Sequence, residues 1–219
     1  MALTPKQKKI SIGATIVAAG VGVGLWMWLS RPKVPKEFGY GNGRMEATTV
    51  EILSKFSARI EEINARGDAQ GIMLVDTRDR TVTALSPDRK LYLDVPNMRL
   101  PKEVNVEVKK TGEIKELAGY KCEKWVVKSA SEDRNITYWV AADKFDFFMP
   151  MLETLNRKDE QAVFFLEIPD AAGVFPMLGV EQKLDGSEVS KLQVTRIAKS
   201  VQKPALFEIP ADFNKFERN

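Results

Sequence analysis

The chain has 219 residues, of which 44% are hydrophobic and 29% charged, the composition of a folded globular protein with room for a sizeable core. Its net charge of +3 comes from Lys6, Lys8 and Lys9, because the residues after position 30 hold 30 basic and 30 acidic side chains; this balance excludes the concentrated basic face that nucleic acid demands. There is no histidine, which excludes Ser-His and Cys-His catalysis and His-ligated zinc.

Residues 1–9 form a short basic tail. Ile10–Leu29 follows as ISIGATIVAAGVGVGLWMWL, without a charge or a proline. As a helix it would span roughly 30 Å, the thickness of a bilayer's hydrocarbon core. Trp26 and Trp28 stand where an aromatic belt is expected. The expectation is a single transmembrane anchor over 10–29. The competing reading is a signal peptide cut near Val17-Ala18-Ala19, but too little apolar sequence precedes that site. Three basic residues flank each end, so the positive-inside rule barely discriminates. The α-amino group and Glu37 tilt the N-terminus inward, which places the globular part in the periplasm of a bacterial inner-membrane protein.

Residues 30–43 read as a linker, stiffened by Pro32 and Pro35 and loosened by Gly39, Gly41 and Asn42. The remainder, 44–219, reads as one mainly β domain. Strands are expected over Met45–Ile52, Lys55–Ile63, Gly71–Asp76, Arg80–Leu85, Lys90–Val95 and Val104–Val108, the second with a helical alternative. Two hairpins follow: Gly119–Lys128 with Asn135–Ala141, and Phe175–Leu184 with Glu188–Ile197. The second turns on Asp185-Gly186-Ser187, a strong hairpin signal. One helix is expected in this domain, near Phe145–Arg157, with Pro150 either kinking it or marking its first turn. Neighbouring strands recur without βαβ alternation, so the sheet should be antiparallel. The expected class is α+β: a curved antiparallel sheet or half-barrel under a helical lid.

Two stretches resemble known families. Gly43, Arg44, Glu46 and Ala47, behind an apolar segment and a Pro/Lys linker, make residues 24–63 look like the start of periplasmic adaptor (membrane fusion) proteins. Over about 56–216 the succession FSARIEEINARGDAQGIMLVDTRDRTVTALSPDRKLYLDVP, GEIKELAGYKCEKWVV, ITYWVA and ALFEIPADF resembles the outer-membrane lipoprotein carrier fold and a bacterial envelope family of unassigned function. Gly119, Tyr120, Trp139, Phe207, Ile209 and Pro210 carry that likeness. It implies a concavity able to hold acyl chains.

The apolar surplus fits that expectation. Phe145, Phe147, Phe148, Met149, Met151 and Leu152 exceed what one helix face needs, and Phe175 and Met177 form a second apolar run. Met and Phe adapt to flexible apolar ligands. These eight residues are the candidate ligand contacts, against the plainer reading of a packed core. No catalytic, metal or cofactor set is expected. Glu61-Glu62 and Asp159-Glu160 read as solvated charge, Asp76, Asp79 and Asp88 lack calcium-loop spacing, and Gly39, Gly41 and Gly43 lack the context of a phosphate loop. Cys122 reads as a small buried hydrophobe. The sequence thus points to a membrane-anchored envelope protein whose β domain binds a lipid, lipopeptide or other apolar ligand, such as a lipoprotein acyl chain, without catalysis. The alternative is a structural or interaction module that docks an envelope protein partner, or an adaptor-like component of an envelope export assembly.

Overall fold

The computed structural model describes residues 13–21, 46–63, 68–96 and 103–217. Twelve strands form one sheet: β1 (Gly13–Val21), β2 (Glu46–Ser54), β3 (Ser57–Ile63), β4 (Ala69–Asp76), β5 (Thr81–Ser86), β6 (Leu91–Asp94), β7 (Glu107–Leu117), β8 (Tyr120–Ser129), β9 (Arg134–Ala142), β10 (Val174–Gln182), β11 (Glu188–Ser200) and β12 (Asn214–Lys215). Two helices, α1 (Phe148–Leu155) and α2 (Glu160–Leu166), lie between β9 and β10.

The sheet runs β12-β6-β5-β4-β3-β2-β1-β11-β10-β9-β8-β7, curved but not closed. It is two meanders joined edge to edge. One arm is β2 to β6, the other β7 to β11, and β1 joins them, antiparallel to β2 and to β11. All pairs are antiparallel except β12 with β6, where Asn214 and Lys215 lie parallel to Leu91 and Tyr92. Local chemistry explains the tight connections. Gly186 takes φ 89° in the β10–β11 turn, a conformation open to glycine without strain. Ser86-Pro87-Asp88 opens a single 3-10 turn closed by Lys90 N–H to the Pro87 carbonyl at 3.2 Å.

The helices occupy the concave side and bridge the arms. α1 packs on β4 and β5, α2 packs on β10, and the helices touch each other. Ile52, Ala58, Ile60, Val75 and Val82 of the first arm therefore share one core with Trp125, Val127, Ile136 and Tyr138 of the second. The C-terminal segment then returns to the first arm. Leu206 accepts a hydrogen bond from Arg59 Nη1 at 2.9 Å, and Asn214 and Phe216 donate backbone N–H groups to Lys90 and Tyr92.

Several expectations are corrected. Residues 13–21 are a strand, not the middle of a transmembrane helix. Thr15, Ile16, Val17 and Val21 have β-branched side chains that suit a pleat, and the unpaired edges of β2 and β11 supply the backbone partners. No helix among the described residues is long and apolar enough to cross a membrane. The tail 1–9 and the linker 30–43 lie outside the described residues, as do residues 24–45 of the adaptor-like stretch. From residue 46 that stretch is β2 and β3, continuous with the rest of the sheet. Lys55–Ile63 resolves as a strand from Ser57. β7 covers Glu107–Leu117 rather than Val104–Val108. As the last strand of the sheet it is exposed over most of its length, so it lacks the apolar alternation that marks a half-buried strand.

Candidate apolar binding site

The helical region begins one turn later than expected, at Phe148, and Pro150 falls in its first turn. There a proline costs no hydrogen bond, because the first helical N–H groups have no intrahelical partner. α1 ends at Asn156, which takes φ 45° and returns its N–H to the Leu152 carbonyl. α2 was not expected. Asp159 caps it, with its carboxylate accepting from Ala162 N–H at 3.0 Å. Asp159 is thus a helix cap rather than a solvated charge on a strand. An Asp immediately before EQAVFFL is the signal that would have found this helix.

The two helices and β10 assemble an aromatic stack. Phe148 meets Phe175 at 4.6 Å between ring centroids and Phe165 at 5.2 Å, both edge-on. Phe145 lies 5.3 Å and Phe147 6.0 Å from Phe175. Tyr120 extends the stack at one end, 5.7 Å from Phe145, and Tyr138 at the other, 5.2 Å from Phe165. Such spacings lie in the favourable range for aromatic pairs. Of the eight candidate residues, Phe145, Phe147, Phe148, Met151, Leu152, Phe175 and Met177 are buried in the main core and Met149 packs against it half-buried. The structure therefore brings all eight together. It also adds Tyr138, Phe164 and Phe165, which the sequence reading passed over, and Tyr120, which that reading named only for the family likeness.

The concavity is filled by these side chains. A depression of about 410 Å³ lies elsewhere, beside β7 and β8, between Lys109, Thr111, Lys124, Val126 and Lys128. The run Val174–Leu178 is an interior strand segment, buried from Phe175 onward.

Polar groups at the rim hold the helices down. Tyr138 donates its hydroxyl to the Gln161 carbonyl at 2.6 Å. Gln161 Nε2 donates to Ser190 Oγ at 2.7 Å, Ser190 donates on to Glu181 at 2.7 Å, and Arg134 Nε reaches Glu181 at 2.8 Å. This chain ties α2 to β9, β10 and β11. Burial, followed by the charges of Asp159, Glu181 and Glu160, pushes the Tyr138 phenol well above its ordinary range, so the hydroxyl stays protonated and keeps donating. Gly179 fits the same contact: a Cβ there would collide with Gln161 Oε1.

Cys122 is buried and unbonded to any other cysteine, and burial raises its thiol pKa. Among the described residues no three His, Cys, Asp or Glu side chains are grouped to hold a metal ion.

An unclosed curved sheet holding two short helices and an aromatic core in its concavity defines an α+β half-barrel domain. The chain belongs to the DUF4412 family, a domain of unknown function, whose model matches residues 39–213. Among solved structures, an uncharacterized conserved protein from Thermus thermophilus is similar at TM-score 0.51 and 11% identity, over 95% of this chain and 92% of that one. At that identity the likeness is one of fold. A LolA superfamily protein from Nitrosomonas europaea is similar at TM-score 0.37 and 10% identity, over 90% of each chain. MucB of Pseudomonas aeruginosa, solved as a complex with MucA, is similar at TM-score 0.45 and 7% identity, over 93% of this chain and 57% of that one. No curated protein matches the chain.

Proposed function

We propose that this is a non-catalytic binding domain of the bacterial envelope, tethered to the inner membrane on its periplasmic side, whose concave face takes a long acyl chain when α1 swings outward. The observation that carries the reading is the stack of Phe145, Phe147, Phe148 and Phe175 between the short helix α1 and an unclosed sheet. A sheet that does not close lets a helix leave its concavity without breaking a strand ladder. The uncharged run Ile10–Leu29 is long enough to tether the domain in a state where its middle, Gly13–Val21, has left the sheet.

Magnitudes decide which ligands qualify. Lifting α1 exposes Phe147, Phe148, Met151 and Leu152, at about 1.5–3 kcal/mol each, or about 6–12 kcal/mol in all. An acyl chain returns about 0.8 kcal/mol per buried CH₂. Break-even therefore needs roughly 8–15 methylenes, and short chains do not bind. Titration of the full chain with fluorescent fatty acids of graded length tests this. Saturable binding that begins only with long chains supports the reading; no saturable binding at any length refutes it.

A second reading is an interaction module for an envelope protein partner. The filled concavity favours it, because a domain packed by its own side chains needs no ligand to complete its core. The same titration separates the two.

A further inference from the structure

β1 is the only strand that joins the two arms among the described residues, and it lies outside the matched family domain, which begins at residue 39. The domain thus supplies both walls of a gap, and the N-terminal segment supplies its filling. Ile16 is in register with Val50 of β2 on one side and Ile197 of β11 on the other, and both partners pack against the core. Ala14 pairs with Ile52 and Ala18 with Val194, which are themselves buried. With β1 withdrawn, β2 and β11 would stand two strand spacings apart, about 9.6 Å. That is the width of one missing strand, with an apolar floor and two unpaired backbone edges.

The filler has a second place to go. GATIVAAGV lies within the uncharged run Ile10–Leu29, long enough to cross a bilayer as a helix. In a bilayer, helix formation satisfies its backbone groups internally. In the sheet, β2 and β11 satisfy them from both sides. The segment cannot do both at once.

We infer that the gap between β2 and β11 is a strand-acceptor site: β1 fills it away from the membrane, and an extended, uncharged peptide strand of about nine residues replaces β1 once the N-terminal segment enters a bilayer. The inference rests on the membrane attachment proposed above. An exposed apolar floor between two open edges is costly and prone to pairing, which is why the emptied gap recruits a strand. β11 carries Lys191, Arg196 and Lys199 in register with the strand and β2 carries Glu46 and Glu51, so the two walls of the gap bear opposite charge.

Thr15 and Ala198 are register partners, and directly paired antiparallel residues lie within disulfide range. The test uses the full chain carrying Thr15→Cys and Ala198→Cys, with Cys122→Ala so that only this pair reacts. Without lipid, oxidation is expected to give an intrachain crosslink in most molecules. In phosphatidylcholine–phosphatidylglycerol vesicles, flotation reports attachment, and crosslinking of the floated chain is expected to fall about tenfold, the effect of a preference of about 1.4 kcal/mol. The floated chain should then bind a fluorescent peptide copying residues 12–22, and chain crosslinked beforehand should not. Absence of the intrachain crosslink without lipid, or crosslinks only between chains, overturns the acceptor site. Undiminished crosslinking in floated chain, or peptide uptake indifferent to the crosslink, overturns strand exchange. A chain that crosslinks without lipid but never floats refutes the attachment alone and leaves the acceptor site standing.

Discussion

Tyr138 on β9 and Gln161 on α2 are joined by a hydrogen bond of 2.6 Å from the phenol hydroxyl to the backbone carbonyl, in a site where Tyr138 is fully buried. This bond fixes where the second helix sits over the sheet. Tyr138→Phe removes the donor and leaves a carbonyl without its partner, a loss of about 1–3 kcal/mol. Urea denaturation should show a lower midpoint with an unchanged slope, since the exposed area on unfolding stays the same.

Gly179 reports on the same helix from the other side. Gly179→Ala brings a methyl group against Gln161 Oε1 and displaces the Gln161 side chain from Ser190. Because the obstacle is the end of a flexible side chain, the expected cost is about 1 kcal/mol rather than the full cost of a backbone clash. Gln161→Ala should largely abolish that penalty. A double-mutant cycle by thermal denaturation checks it, and strict additivity would contradict the contact.

Phe148 lies at the centre of the aromatic stack, between Phe165 and Phe175. Phe148→Ala should destabilise the domain by about 3–5 kcal/mol, the range for a buried aromatic truncated in a packed core. In the acyl-chain reading, the same variant lowers the cost of opening the concavity and admits shorter chains. A fatty-acid series run on a folded fraction, verified by circular dichroism, measures that shift.

Glu51 and Glu61 share one guanidinium. Arg59 donates from Nε to Glu61 at 2.7 Å, and Glu51 stands 3.6 Å away. Burial and then the neighbouring Glu61 raise the Glu51 pKa above its usual 4.5, with Arg59 opposing them. The folded state therefore holds this proton more tightly than the unfolded chain. The stabilisation from this site is full below about pH 4.5 and is lost as pH rises through the raised value. Glu51→Gln should flatten this part of the stability profile and leave the melting temperature at pH 7 equal or higher. A clear fall at pH 7 would show that the Arg59 ion pair outweighs the burial cost.

Much of the architecture was legible from local patterns. Short runs rich in Val, Ile and Thr, separated by turn residues, marked the strands from β2 to β6 and from β8 to β11. Asp185-Gly186 marked its hairpin because few other residues tolerate that turn. The surplus of Phe and Met near α1 marked the residues that now form the core of the concavity. Other features had weak local signals. β7 reads as charged because it is the sheet's edge, and the two-residue β12 is defined by its pairing with β6 rather than by its own sequence.

Sequence alone determined the class of the domain, since a period-2 apolar pattern can bury only one face and must fold over itself or under a lid. It also determined the absence of histidine chemistry and the existence of one long uncharged segment. Tertiary structure decided what the patterns could not. It placed Phe148 against Phe175 and Phe165, residues brought together from α1, β10 and α2. It set Gln161 over Gly179, and it put residues 13–21 between β2 and β11. Those are contacts between distant parts of the chain, and periodicity carries no information about them. For Gly13–Val21 the reason is sharpest: an uncharged β-branched run suits a bilayer helix or an interior strand, and only the surroundings that satisfy its backbone select one.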